Sequence, residues 1–231
     1  MPVTPVPANL NYDMWLGPAP WREHVDLQAE SGSVHWNWRW IMDYSGGQLT
    51  DWAGHHIDIA HWGMGFEQTG PVAITEAKGE YSKESTYDVP NAYRFKCTYA
   101  NGAEIVVANQ SQLPRGRGVC WYGENGQWVF ASRRGYSASS NKILQSVIGP
   151  GEKRLYVSND HKQNFLDCVK NRKETIAPAE TAHRSISVGL LGEIAMLTGR
   201  DLKWDPVKEV FINDEMANRY LSRPMRAPWH L

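Results

Sequence analysis

The chain has 231 residues, 42% hydrophobic and 21% charged, with 24 Lys plus Arg against 25 Asp plus Glu. That is enough to bury one sizeable core, and too evenly charged to favour a polyanion such as nucleic acid as a partner. No stretch approaches the roughly 20 apolar residues of a membrane span, and residues 1–10 have neither the charged start nor the apolar run of a signal peptide.

Residues 2–20 are rich in proline and include Trp15-Leu16-Gly17-Pro18-Ala19-Pro20, a composition that reads as an extended arm rather than an element. Residues 33–44 alternate large and small groups, with Val34, Trp36, Trp38 and Trp40 on one side. That period of two predicts a strand, which Tyr44-Ser45-Gly46-Gly47 then breaks. Helical spacing over residues 48–64 predicts a helix stopped by Gly63 and Gly65.

Short β-branched or aromatic runs at 72–80, 92–99, 104–109, 118–122 and 127–132 predict strands. Turn dipeptides such as Asn101-Gly102 and Asn125-Gly126 separate them into an antiparallel meander. After Gly149-Pro150-Gly151 the period becomes helical at 160–170 and 179–197, the second ending at Thr198-Gly199, and Asn213-Asp214 can cap a last short helix reaching residue 221. The order predicts an α+β fold, an open and predominantly antiparallel sheet with helices packed on one face. Residues 1–32 form the arm and 33–231 the domain.

Cys97, Cys120 and Cys168 are odd in number and widely spaced, which argues for three buried thiols and against a disulfide framework or a structural zinc. The 11 Trp and 10 Tyr against 5 Phe fit either a Trp-rich core or rings displayed to stack on sugar faces.

Chemistry concentrates where Asp51, His55, Asp58 and Trp62 recur at helical spacing and so share one stripe. A carboxylate one turn before an imidazole can orient the ring and favour its protonated form, as a general base requires. The bland alternative is an exposed ion pair worth a few tenths of a kcal/mol, roughly. Gly46-Gly47 at the start of the helix lets another group approach closely, and Trp52 flanks the acid. A metal site built from Asp51, His55, His56, Asp58 and His61 is disfavoured, because His56 and His61 point away from the stripe and no His-x-x-x-His is present. No metal is expected. Arg39 can fork onto a substrate hydroxyl or carboxylate, although an arginine on a strand more often pairs with a surface acid. His183 reads as either a packing residue or a ligand, and Arg115, Arg117, Arg133 and Arg134 read as a solvated face.

These residues, together with the arm motif, Asp43-Tyr44-Ser45-Gly46-Gly47, Leu202-Lys203-Trp204-Asp205-Pro206 and Ser222-Arg223-Pro224-Met225-Arg226-Ala227-Pro228-Trp229, resemble the C-terminal domain of the glucose-fructose oxidoreductase / inositol dehydrogenase (Gfo/Idh/MocA) family over nearly the whole chain. The resemblance implies a sheet packed behind a nucleotide-binding domain, with a sugar or polyol held between the two and NAD or NADP as the cofactor of the whole protein. It implies His55 as acid/base and Asp51 as its orienter or a substrate partner; Arg39, Tyr44, Trp52, His56 and Asp58 are expected as substrate-binding residues by their proximity to this pair, and His183 is expected as a further one. The family's Gly-x-His is here Ala53-Gly54-His55.

No Gly-x-Gly-x-x-Gly follows a strand, and there is no alternating βαβ pattern and no Glu-Lys-Pro segment. The nucleotide-binding half is therefore expected to be missing, and this chain is not expected to bind a dinucleotide tightly or to turn over alone. The function expected is the substrate-binding, catalytic-His half of an NAD(P)-dependent oxidoreductase acting on a secondary hydroxyl of a sugar, glycoside or cyclitol. The alternative is a non-catalytic carbohydrate-binding or scaffold protein. A homo-oligomer formed through the sheet face is expected, with solubility but no particular compartment.

Overall fold

The computed structural model describes residues 2–26 and 36–230. In chain order these form helix α1 (Tyr12–Leu16), helix α2 (Trp52–Met64), strands β1 (Ala73–Tyr81), β2 (Pro90–Thr98), β3 (Glu104–Ala108), β4 (Val119–Tyr122), β5 (Trp128–Ser132) and β6 (Gly135–Ala138), helices α3 (Asn141–Leu144), α4 (His161–Asn171) and α5 (Ala179–Thr198), strands β7 (Leu202–Asp205) and β8 (Val210–Phe211), and helix α6 (Glu215–Asn218). The fold is α+β, and all its strand pairs are antiparallel. The chain divides into two units, residues 1–53, 71–108 and 189–231, and residues 54–70 and 109–188.

The first unit holds a five-stranded sheet in the order β3-β2-β1-β7-β8. Alternation along β2 sends Tyr93, Phe95 and Cys97 inward and leaves Arg94 and Lys96 half-exposed on the other face. On that outer face Lys96 bridges Glu76 at 2.9 Å and Glu104 at 3.3 Å. Residues 189–198 of α5 cover the inner face, and Gly192 sets how closely they approach: a Cβ there would sit 2.3 Å from Phe95 Cζ. Full burial of Phe95 contributes about 2–3 kcal/mol.

The second unit holds the three-stranded sheet β4-β5-β6. Residues 54–64 of α2 lie against it, since a Cβ at Gly63 would come within 2.7 Å of the Trp121 ring. Asp160 caps α4 by accepting from the backbone N–H groups of Lys162 and Gln163.

The strands expected between residues 72 and 132 are present, but the meander is divided between two sheets, and β6, β7 and β8 were not anticipated. The helices expected from residue 160 onward are also present, with Gly199 at φ +64 ending α5 and Asp214 capping α6. The strand expected at 33–44 is corrected. Residues 33–35 lie outside the described residues, as does the boundary between 32 and 33. Beyond them, Trp36 and Asn37 are helical and Trp38–Trp40 form a 3₁₀ turn closed by Ile41 N–H on Trp38 O at 3.3 Å. The arm is not wholly extended either, because residues 8–17 contain no proline. There Asn11 caps α1 by accepting from Met14 N–H at 3.1 Å, and Gly17 at φ +55 stops it.

Two expectations about burial also change. Cys120 is half-buried rather than buried. Trp204 alone of the tryptophans is buried, so the tryptophans do not form the core.

Candidate functional site

Two glycines fix the approach to α2. Gly47 has φ +63, and a Cβ on it would lie 2.6 Å from Val89 Cγ2; one on Gly46 would lie 2.5 Å from Thr50 Cγ2. The groups that approach this bare backbone are thus the protein's own. Thr50 Oγ1 accepts from Gly46 N–H at 3.0 Å, and Asp51 N–H donates to Gly47 O at 3.1 Å. This turn places Asp51 just before α2.

Asp51 is joined to Arg39, with Nε 3.4 Å from Oδ2 and both side chains about a quarter to a third exposed, at 24% and 32%. The Arg39 guanidinium also lies 4.5 Å from the Trp36 ring centre and 4.9 Å from that of Trp38. Two indoles therefore hold its plane, and the alternation of rings that suggests a strand serves instead to flank a cation. Of the expected site residues in the first unit, the fold brings Arg39 and Asp51 together. Trp52 is half-buried at the first position of α2. Tyr44 turns toward the arm, its ring packing edge-on against Trp15 at 5.2 Å, and burial raises its pKa.

In the second unit His55 is exposed in the first turn of α2 and His56 is half-buried beside it. Burial, followed by the nearby His55, Arg117 and Arg133 charges, lowers the His56 pKa, which favours the neutral ring. Asp58 accepts from Ser185 Oγ at 3.0 Å, a bond that ties α2 to α5. His183 is exposed near the start of α5. His61 is fully buried, and burial lowers its pKa to about 4. It belongs to the core of this unit. Among the described residues no group of three or more His, Cys, Asp or Glu is placed to hold a metal ion, and no helix is long and apolar enough to cross a membrane.

The first unit also contains a groove of about 820 Å³ that sequence reasoning missed. Trp15, Trp38, Tyr44, Tyr220, Glu193 and Arg223 are among its walls. Glu193 is 4% exposed, and its Oε2 lies 3.8 Å from Arg223 Nη2. Burial raises its pKa against the opposing Arg223 charge. The available signal was a single acid inside the apolar run Leu190-Leu191-Gly192-Glu193-Ile194-Ala195-Met196-Leu197.

The description "Oxidoreductase family, C-terminal alpha/beta domain" fits residues 1–231, and the chain belongs to this Gfo/Idh/MocA family. Among solved structures it is similar to the aldose-aldose oxidoreductase from Caulobacter crescentus complexed with glycerol, at 19% identity over 72% of this chain and 50% of that one, with a TM-score of 0.50. An NAD-binding protein from Listeria innocua matches at 18% identity over 72% and 54% of the two chains, TM-score 0.46. A myo-inositol dehydrogenase from Corynebacterium glutamicum matches at 14% over 70% and 50%, TM-score 0.41. The chain spans about half the length of these structures, and at such identities the likeness is one of fold. No curated protein matches it in sequence.

Proposed function

We propose that this chain is the substrate-side domain of an NAD(P)-dependent oxidoreductase acting on a secondary hydroxyl of a sugar, glycoside or cyclitol, with His55 as its acid/base. The observation that carries the reading is an exposed imidazole in the first turn of α2, in a domain of this family. In the oxidising direction a neutral His55 ring nitrogen accepts the hydroxyl proton and leaves the oxygen ready to become a carbonyl. Arg39, Trp52, His56 and His183 are the proposed substrate contacts. Asp51 holds the Arg39 guanidinium, while Tyr44 and Asp58 position the arm and α2.

The described residues do not fit a dinucleotide, because their sheets are antiparallel and no strand among them runs through a glycine-rich turn into a helix N-terminus. The reading therefore assigns the nicotinamide to a separate nucleotide-binding domain of the whole protein. It assigns self-association to the outer sheet face, which carries the Lys96, Glu76 and Glu104 charges.

The test is polyol-dependent reduction of NAD⁺ or NADP⁺ by the whole protein. His55→Ala should lower kcat by about 10²- to 10⁴-fold while leaving the circular dichroism unchanged. A whole protein that reduces neither nucleotide with any sugar or cyclitol would defeat the reading. One observation favours a non-catalytic carbohydrate-binding role instead, the tryptophans that remain at the surface. Sugar binding without nucleotide reduction would establish that role.

A further inference from the structure

Glu193 presents an anomaly in its surroundings. Its carboxylate is buried, its Oε2 has only the long 3.8 Å contact with Arg223, and no hydrogen bond reaches its Oε1 among the described residues. A buried carboxylate oxygen without a donor is costly and is retained where something else supplies one. Tyr81 is close enough for the Glu193 charge, after burial, to help raise its pKa to about 12, yet its hydroxyl also lacks a hydrogen-bond partner among the described residues. Helix α5 places Glu193 in the groove of about 820 Å³, a size that suits a small ligand.

The groove walls select the chemistry. Indoles of Trp15 and Trp38 and phenols of Tyr44 and Tyr220 offer flat faces to C–H surfaces. The charged groups lining it balance, Asp43 and Glu193 against Arg219 and Arg223, so a ligand with a net charge gains no advantage. Arg223 is held in place by donating to Met42 O, which leaves an acceptor and a donor side by side in the groove. Neighbouring hydroxyls, each able to donate and to accept, match such a pair.

We propose that this groove is a binding site for a neutral polyhydroxylated ligand of mono- to disaccharide size, whose vicinal hydroxyls bond to Glu193 and Arg223 and whose ring stacks on Trp15 or Trp38. His55 is not among its walls, and the proposal does not depend on the activity proposed above. It gives the protein a second place to hold a glycan.

The test is calorimetric titration of the 231-residue chain with maltose and with myo-inositol. Saturable binding of at least one is expected for the wild type and for His55→Ala alike. Glu193→Gln should weaken it about tenfold, the loss of one charge-assisted hydrogen bond. Tyr220→Ala alters an exposed wall residue, 48% accessible, and should weaken binding without disturbing the fold, which keeps the test decisive if the Glu193 variant misfolds. No saturable heat up to about 50 mM, where even a Kd of several mM would register, overturns the proposal. Binding abolished by His55→Ala and unchanged in Tyr220→Ala and folded Glu193→Gln would overturn it too, by placing the ligand at His55.

Discussion

Arg226 Nη1 and Asp13 Oδ1 stand 2.6 Å apart across 213 residues of sequence. The same guanidinium donates to three further carbonyls, Asp13 O at 3.1 Å, Gly17 O at 2.9 Å and Ala19 O at 3.4 Å, and the Arg226 backbone N–H donates to Pro18 O at 3.0 Å. The tail thereby clamps α1 and the turn after it.

This distribution predicts an asymmetry. Arg226→Ala removes every side-chain bond and should cost about 1–3 kcal/mol, with faster hydrogen exchange over residues 12–19. Asp13→Ala leaves Arg226 its carbonyl partners, and Asp13 is largely exposed at 65%, so its loss should fall within about 1 kcal/mol. Equal losses in urea titrations would mean that the ion pair, not the carbonyl fork, holds the tail.

His61 sets an acid limit on stability. Its folded pKa of about 4 lies below an unfolded value near 6.5, so the fold favours the neutral ring. Its contribution is complete above about pH 6.5 and is lost as pH falls toward about 4, roughly 3 kcal/mol in all and about 2 of it by about pH 5. Urea midpoints should show this slope in the wild type and a flatter one in His61→Leu.

The strands between residues 72 and 132 were legible because each is a short β-branched or aromatic run and turn dipeptides such as Asn101-Gly102 and Asn125-Gly126 separate neighbours, information that is local. Strand β7 was not, since it is four residues long and exists by pairing Leu202 with Ile74 and Lys203 with Ala73. Trp36–Trp40 misled because a period of two in ring positions arises equally when indoles flank an arginine on a tight turn. The helix carrying His55 was readable from spacing. The groove was not, since it is assembled from the arm, α5 and the tail, none of which carries a motif that names the others.

Arg39 tests how much the indole clamp matters. Arg39→Lys keeps a positive charge near Asp51 but loses the planar group stacked on Trp36 and Trp38, and should cost about 0.5–2 kcal/mol. A changed near-ultraviolet circular dichroism of the indoles should accompany it. Unchanged melting and unchanged indole signals would show that charge alone suffices.

The two glycines of α5 that lie within the first unit should respond in opposite senses. Gly192→Ala forces a methyl against Phe95 and should destabilise by at least about 1–3 kcal/mol. At Gly189 a Cβ would meet Leu49 O at 3.4 Å and Leu49 Cδ1 and Cγ at 3.9 Å, none of them a clash, so Gly189→Ala should be neutral or gain up to about 1 kcal/mol of helix propensity. Thermal melts of the two variants separate these outcomes.

The pairing of β1 with β7 bears on how the chain is made. During synthesis β1 meets β2 early, but its other side stays open until Leu202 leaves the ribosome, more than half the chain later. At about 5–20 residues per second that interval is on the order of 10 s, long enough for a bare strand edge to recruit a neighbouring nascent chain. The strand is not flat along that stretch: Glu76 sits at φ +55 where the register slips between Thr75 and Lys78. An irregular, charged edge of this kind is a poor template for a stranger while the strand waits for its own partner.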